Sequence, residues 1–287
     1  MPDTKRTALV LSGGGLRGGA HVGALKVFER VGLLKAVSVV AGTSAGSIVG
    51  AMLASGASMA AIEEAILRLM TTPCHEILDV NMGAMRDVAC AQDLARFSGF
   101  LIGQAMLDLV EKNAVHIRRF SDYATLPPEL QDKVKDLLLV AVNLDTGLKT
   151  VFCDPTRYTS YDEGVLCGKI SFAQAARASS SAPVIVTPFA CPEGCSCGQE
   201  QRGGKGNPQF FVDGAVRENC PIKLVVKLAG CTRVLAVNLG YAGDRVEGVA
   251  SQGMAEILSQ SVAVSGAQQF DADLSYLRVQ EIGRAHV

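Results

Sequence analysis

The stretch LVLSGGGLRGGAHVGAL, Leu9 to Leu25, decides the fold because it joins a short apolar run to a helical pattern through consecutive glycines. Gly13, Gly15 and Gly18 satisfy G-x-G-x-x-G, the spacing of dinucleotide-binding loops. The same glycines suit a loop that holds an oxyanion with backbone N–H groups. The rest of the sequence must decide whether the loop binds the pyrophosphate of a dinucleotide or an oxyanion.

Alternating strand and helix patterns surround this loop. Arg6 to Leu11 predicts a β-strand, and Ala20 to Val31 has apolar residues at helical spacing before Gly32. Ala36 to Ala41 predicts a second strand, and Ile48 to Ala54 predicts the next helix. This β-α-β-α order predicts an α/β fold with parallel strands and helices on their faces.

The remaining chain continues the same pattern. Helices are predicted at Met59 to Met70, Phe172 to Ser181 and Pro221 to Ala229, with a mostly helical stretch over Cys74 to Arg119. Strands are predicted at Leu137 to Asn143, Val184 to Phe189 and Phe210 to Val212, with Val234 to Asn238 as the last inner strand. The segment KTVFC is predicted to pair as a hairpin with Leu137 to Asn143. We expect one domain over residues 1–280, truncated at its C-terminus. The final EIGRAHV, residues 281–287, matches translated sequencing-adapter DNA and is expected to be an artefact.

Composition excludes several classes of function. The 287 residues are 48% hydrophobic and 19% charged, which suits a substantial buried core. The net charge of -1 gives no basic footprint for nucleic acid. No apolar run is long enough for a signal peptide or a membrane span, so we expect a cytoplasmic protein. The nine cysteines, an odd number, favour a reducing compartment over a disulfide scaffold.

The second predicted strand decides between the two anions. A dinucleotide fold needs a carboxylate near the end of that strand, and Val40 to Ser44 contains none. That strand instead ends in Gly42-Thr43-Ser44-Ala45-Gly46, which matches the G-x-S-x-G nucleophile elbow. A glycine turn with an incidental helix-capping serine remains the alternative interpretation.

A nucleophilic serine needs a base, and histidine does not supply one in the usual order. The histidines are His21, His75, His116 and His286, and only the last lies late enough for an α/β-hydrolase triad. His286 falls in the expected artefact. His21 is interpreted as a helix-packing or surface residue, so the standard triad lacks a member.

Three motifs together resemble the patatin-like phospholipases, in particular their bacterial members. GGGLRG at Gly13 to Gly18 and GTSAG at Gly42 to Gly46 are followed by Asp213-Gly214-Ala215, and the resemblance spans Arg6 to Gly240. It implies a three-layer sandwich with a mostly parallel central sheet and helices on both faces. It also implies a Ser44-Asp213 dyad that acts through an acyl-enzyme. The implied oxyanion hole is the loop of Gly13, Gly14, Gly15, Leu16, Arg17 and Gly18.

The resemblance implies an esterase that acts on phospholipids, lysophospholipids or related acyl esters. It implies no cofactor and no catalytic metal, with transient contact at a membrane surface and no nucleic-acid partner. The candidate acyl wall consists of Phe97, Phe100, Leu101, Ile102, Met106, Leu107 and Val110. The alternative function is a non-catalytic lipid-binding or regulatory protein on the same fold.

Two further groups of residues have no assigned chemistry at this point. Cys191, Cys195 and Cys197, with Cys220, form either a zinc site of unusual spacing or an insert with reduced thiols. Arg177 and the serines 179–181 are expected to be structural.

Overall fold

The structure is a computed structural model that describes residues 6–71, 79, 99–192, 208–240 and 269–275. His75, Phe97, Cys195, Cys197 and the suspected artefact at 281–287 lie outside these residues.

The centre of the fold is an eight-stranded sheet whose main path runs β5-β4-β3-β2-β1-β8. The strands β1, β2, β3 and β8 pair in parallel, as their β-α-β order predicts. The strand β4 runs antiparallel to β3, and so does β7, which also pairs with β6. The strands are β1 (Thr7–Leu11), β2 (Val37–Thr43), β3 (Asp136–Asn143), β4 (Lys149–Phe152), β5 (Val165–Cys167), β6 (Phe189–Ala190), β7 (Phe210–Asp213) and β8 (Arg233–Val237).

Helices in the described residues lie close to their predicted positions, whereas most of residues 74–98, the first part of the stretch predicted to be mostly helical, lies outside the described residues. They are α1 (Gly19–Arg30), α2 (Ala45–Ala54), α3 (Met59–Thr71), α4 (Gln104–Asn113), α5 (Phe172–Ser179) and α6 (Ile222–Lys227), with a further helical segment at 269–275. Short 3-10 helices occur at Gly15–Gly18, Leu33–Ala36, Phe120–Thr125, Pro128–Leu130 and Gly214–Val216.

Two apolar clusters cover opposite faces of the sheet. Leu9 and Leu11 of β1 pack with residues of α1 to α5. Ala8 and Val10, which alternate with them, pack with residues of α6 and of segment 269–275. The predicted three-layer α/β sandwich is therefore confirmed. All five residues of β1 are buried because helices cover the strand on both faces.

One edge of β3 is shared by two strands, and this arrangement creates the site. The strand β2 pairs with β3 as far as Thr43, which lies opposite Val140. From the next residue onward the partner is β7, which runs antiparallel and ends with Asp213 opposite Ala141. The ends of β2 and β7 therefore meet at one point of the sheet.

The strand assignments need three corrections. The predicted strand from Val184 to Phe189 is mainly a turn, with an isolated bridge at Val186, because Val184 adopts a left-handed φ of 69° that interrupts an extended segment. The strand β5 was not predicted, since three residues are too short to show a period. The strand predicted at Val234 to Asn238 as an inner strand is β8, which in the described sheet pairs only with β1 and is half exposed.

Alanine substitutions at two glycines test the effects of packing and of helix propensity on stability separately. A methyl group on Gly46, at the start of α2, would overlap the carbonyl oxygen of Leu11, whereas one on Gly23 of α1 would meet nothing within 4 Å. We expect Gly46→Ala to lower the free energy of unfolding by about 2 kcal/mol or more through overpacking. Gly23→Ala should raise it by roughly 0.5 to 1 kcal/mol. Urea unfolding measures both, and equal effects at the two positions would contradict this packing.

Candidate active site

Ser44 occupies a strained turn between β2 and α2. Its φ of 54° and ψ of -125° are uncommon for a residue with a side chain, and such conformations cost on the order of 1 to 3 kcal/mol. The turn is held from outside: the N–H of Ser44 donates to the hydroxyl of Ser179 over 3.0 Å. Its carbonyl accepts a hydrogen bond from the Ser47 hydroxyl. The side chain of Ser44 remains half-buried at the end of the sheet.

The glycines around Ser44 are required by close backbone approach. A Cβ on Gly42 would lie 2.6 Å from the carbonyl oxygen of Gly46, so the strand and the helix meet without room for side chains. Gly46 in turn lies against the end of β1. These contacts match the arrangement that the G-x-S-x-G spacing predicts.

Asp213 is the titratable group at the junction with Ser44. Its side chain is buried, and burial raises its pKa from 3.8 to about 6. Interaction with the Ser44 hydroxyl opposes this rise in pKa, and so does the N–H of Ala215, which donates to Oδ1 over 2.8 Å.

The segment after Asp213 is held by buried polar contacts. A Cβ on Gly214 would overlap the carbonyl oxygen of Val140, which explains the glycine after the aspartate. The N–H of Glu218 donates to the carbonyl of Gly214 over 2.8 Å. The Glu218 carboxylate also forms a buried ion pair with Lys149 Nζ at 2.7 Å. Asp213 therefore projects from a rigid support.

The glycine-rich loop passes beside Ser44, because a Cβ on Gly13 would lie 3.1 Å from the Ser44 Cβ. The N–H of Gly13 already donates to the carbonyl of Asn219 over 3.0 Å. Within the described part of the chain, no acceptor bonds to the N–H groups of Gly14, Gly15 or Leu16. These three N–H groups are therefore available to bind an anion.

The outer half of this loop is open to solvent. Gly15, Leu16 and Arg17 are exposed, and the exposed fraction of Leu16 is 93%. Gly18 is buried and packs against Ala45, where a Cβ would approach the Ala45 Cβ to 2.8 Å. Arg17 makes no ion pair with any described residue, and its backbone N–H donates to the carbonyl of Gly14 over 3.0 Å.

Several residues at the site were not predicted to act there. Ser179 links the Ser44 turn to β3, since its hydroxyl also donates to the carbonyl of Val140 over 2.6 Å. The carbonyl of Ser181 accepts the N–H of Asp213 over 2.9 Å. The run of three serines was the available signal, but nothing in the sequence places their hydroxyls beside β2 and β7. Glu218 and Asn219 carried no signal of their own.

The described histidines do not serve as a base for Ser44. His21 is fully buried with Nε2 2.8 Å from the carbonyl oxygen of Ser12, and burial lowers its pKa. The backbone N–H of His116 donates to Ser55, and its ring lies at Gly56. His21 is thus a packing residue, as interpreted from the sequence, but one that contacts the glycine-rich loop.

The cysteines partly contradict the sequence-based interpretation. Cys167 and Cys191 are each in a disulfide, so the expected reduced thiol is wrong for Cys191. Cys153, Cys220 and Cys231 are free and buried. Among the residues that the structure covers, no three ligating side chains come together as a metal site.

The candidate acyl wall is divided between core and surface. Val110 is buried in the core, and Met106 and Leu107 pack against it, whereas the exposed fraction of Ile102 is 48%. No helix in the described ranges combines the length and the apolar character needed to cross a bilayer.

Comparison with known proteins places these features in a family. The family model described as patatin-like phospholipase matches residues 9–226, which include both Ser44 and Asp213. The chain belongs to the patatin-like phospholipase family. That family is associated with lipid acyl ester hydrolysis.

Individual relatives match over short segments. The chain is 40% identical over 77 residues to mouse patatin-like phospholipase domain-containing protein 6, covering 26% of the chain and 6% of that protein. It is 44% identical over 55 residues to lysophospholipase NTE1 of Coccidioides immitis, covering 19% of the chain and 3% of that protein. The crystal structure of VipD from Legionella pneumophila matches with a TM-score of 0.51 at 18% identity, over 86% of this chain and 52% of VipD, which supports the fold.

The raised pKa of Asp213 predicts a stability gain on neutralisation. A rise from 3.8 to about 6 corresponds to at most roughly 3 kcal/mol, at about 1.4 kcal/mol per unit. Because the folded pKa exceeds the unfolded one, stability falls as the pH rises from about 4 to about 6, and the full penalty applies above that. We expect Asp213→Asn to be about 1 to 3 kcal/mol more stable than wild type at pH 8.

The comparison needs urea unfolding of both proteins at pH 8 and at pH 4, with exposed Asp132→Asn as the control. The stability difference should shrink toward zero at pH 4, where wild-type Asp213 is protonated. A difference that does not depend on pH would show that burial does not raise this pKa.

Proposed function

We propose that the chain is a serine acyl hydrolase that cleaves carboxylic esters of lipids, with Ser44 as nucleophile and Asp213 as its base. The proposal rests on one observation: β2 and β7 end against each other on β3, which brings a strained serine to a buried carboxylate. A pKa of about 6 keeps this carboxylate ionised at neutral pH while leaving it basic enough to take a proton.

In the proposed acylation step the Ser44 oxygen attacks the ester carbonyl, and its proton passes to Asp213. The negative charge on the carbonyl oxygen is stabilised by the free N–H groups of Gly14, Gly15 and Leu16. Asp213 then gives its proton to the leaving alcohol, and an acyl-enzyme on Ser44 remains. In deacylation, Asp213 takes a proton from the water that attacks the acyl group, and it then returns this proton to the Ser44 oxygen as the acid leaves.

Lipid esters are the proposed substrate class because of the family and the apolar surface beside the site. Phospholipids and lysophospholipids fit this class, and one relative is named a lysophospholipase, although the match covers only 3% of its length. The exposed side chain of Leu16, on the glycine-rich loop that passes beside Ser44, supplies apolar surface for transient contact with a lipid layer. A cytoplasmic location stays a prediction, and the disulfides at Cys167 and Cys191 weigh against it.

Removing either member of the dyad should abolish ester hydrolysis. We expect Ser44→Ala and Asp213→Asn each to lower kcat for p-nitrophenyl acyl esters by on the order of 10³-fold or more, because nucleophile and base act as a unit. The exposed substitutions Ser121→Ala and Asp132→Asn serve as matched controls and should leave kcat unchanged.

Esters of graded chain length measure this loss and also define acyl preference. Hydrolysis that persists in folded Ser44→Ala would rule out the proposed mechanism. A folded wild-type protein that binds lipid without hydrolysing any ester would favour the non-catalytic alternative.

The pH profile should report the ionisation of Asp213. Since the base must be ionised, kcat/KM should fall as the pH drops through about 6, with a limiting slope of one in log units. Release of p-nitrophenol, followed at its isosbestic wavelength, measures the profile without interference from its own titration. A flat profile from pH 5 to pH 8 would exclude Asp213 as the base.

A further inference from the structure

Ser12 lies between β1 and the glycine-rich loop, fully buried, with every polar group occupied. Its hydroxyl donates to the carbonyl of Gly13 over 2.9 Å and accepts the N–H of Leu239 over 2.7 Å. Its own N–H donates to Val237 over 3.1 Å. Because a hydroxyl has a single proton, the bond from Leu239 leaves that proton directed at Gly13.

The bond from Ser12 to the Gly13 carbonyl determines the direction of the next N–H group. The C=O and N–H of a trans peptide point in opposite directions across one plane. Holding the carbonyl of Gly13 from one side therefore directs the N–H of Gly14 to the other side. That N–H is one of those that bond to no acceptor in the described residues.

His21 holds the preceding peptide in the same way. Its Nε2 lies 2.8 Å from the carbonyl oxygen of Ser12, a contact in which the imidazole nitrogen must donate. On the opposite side of this peptide, the N–H of Gly13 donates to Asn219. Two consecutive peptides are thus fixed by side chains, at glycines whose backbone is otherwise free to adopt many conformations.

We propose that Ser12 is a positioning residue for the oxyanion hole, whose hydroxyl keeps the Gly13–Gly14 peptide oriented so that the Gly14 N–H faces the ester carbonyl beside Ser44. This inference rests on the function proposed above and adds a residue to it. Ser12 touches no substrate, because it is buried behind the loop. Its hydroxyl therefore acts only through the direction of the Gly14 N–H.

An orientation effect of this kind has a distinct kinetic signature. A single oxyanion donor is worth roughly 10²- to 10³-fold in kcat, because it binds the charge that develops in the transition state. Ser12→Ala frees the peptide without deleting the donor, so we expect kcat to fall by about 10- to 100-fold. KM should stay within about twofold, since the substrate-binding surface does not change.

Ser55 offers a matched control for the loss of a buried hydroxyl. It is also fully buried, and its hydroxyl donates to Met52 over 2.7 Å and accepts the N–H of Val115 over 3.3 Å. It follows α2, so the length of this ten-residue helix, about 15 Å, separates it from Ser44. Ser55→Ala should lower stability much as Ser12→Ala does, while leaving kcat unchanged.

The test compares wild type, Ser12→Ala, Ser55→Ala and Ser44→Ala, using p-nitrophenyl butyrate and an alkyl trifluoromethyl ketone. The ketone accepts the Ser44 oxygen as a hemiketal while the serine proton passes to Asp213, so its inhibition constant reports binding of an oxyanion. We expect Ser12→Ala to raise this constant by the same factor by which it lowers kcat. Ser55→Ala should leave both values at the wild-type level.

The inference is overturned if folded Ser12→Ala keeps the wild-type kcat and inhibition constant, or if Ser55→Ala loses as much as Ser12→Ala. If Ser12→Ala does not fold, Ser12→Cys carries the test, because the thiol leaves no cavity at this position and donates only weakly. Retention of the wild-type rate by Ser44→Ala would overturn the proposed function as well. An inactive Ser44→Ala beside fully active Ser12 variants would overturn this inference alone.

Discussion

The candidate site depends on the carbonyl group of Val140, at the position in β3 where the paired strand changes from β2 to β7. Val140 is the last partner of β2, and the next residue of β3 pairs with Asp213 at the end of β7. The carbonyl oxygen of Val140 accepts the Ser179 hydroxyl, which in turn accepts the N–H of Ser44. The same oxygen leaves no space for a side chain at position 214. The Val140 carbonyl therefore supports the turn that carries Ser44, through Ser179, and also lies directly against Gly214, the residue that follows Asp213.

The two groups proposed to act chemically at this junction both lower the stability of the folded protein. The backbone of Ser44 is strained, and Asp213 is a carboxylate whose ionisation is disfavoured by burial. The surroundings resist relaxation: the buried Lys149–Glu218 ion pair holds the segment after the aspartate, and removing one partner of such a pair typically costs about 3 to 5 kcal/mol. This rigid support explains how the strained Ser44 and the buried carboxylate of Asp213 stay close together. It also indicates a site that is organised before substrate binds.

The parts of the fold with strong local patterns were predictable from sequence. The path from β1 through the glycine-rich loop, α1, β2 and the serine turn follows from apolar periods and glycine spacing, and the structure agrees within a few residues. The pairing of Asp213 with Ser44 was predicted only from the family resemblance, because no local sequence pattern indicates which distant carboxylate lies close to a serine. The contacts of Ser12 and Ser179 were not predictable, since a hydroxyl bonded to a distant backbone group leaves no periodic signature. The segment at Val184 was predicted wrongly because apolar β-branched residues favour a strand, whereas its left-handed φ forms a turn.

Covalent labelling would test the central claim, that Ser44 is the activated nucleophile. The protein is treated with an alkyl fluorophosphonate, which phosphonylates activated serines with loss of fluoride, and the adduct is located by fragmentation of tryptic peptides. Cleavage after Lys35 and Arg68 releases Ser44 in the peptide Ala36 to Arg68, together with other serines that serve as internal controls. The account predicts a single adduct, on Ser44, that is absent from Ser44→Ala. An adduct on another serine, or labelling that persists in folded Ser44→Ala, would contradict it.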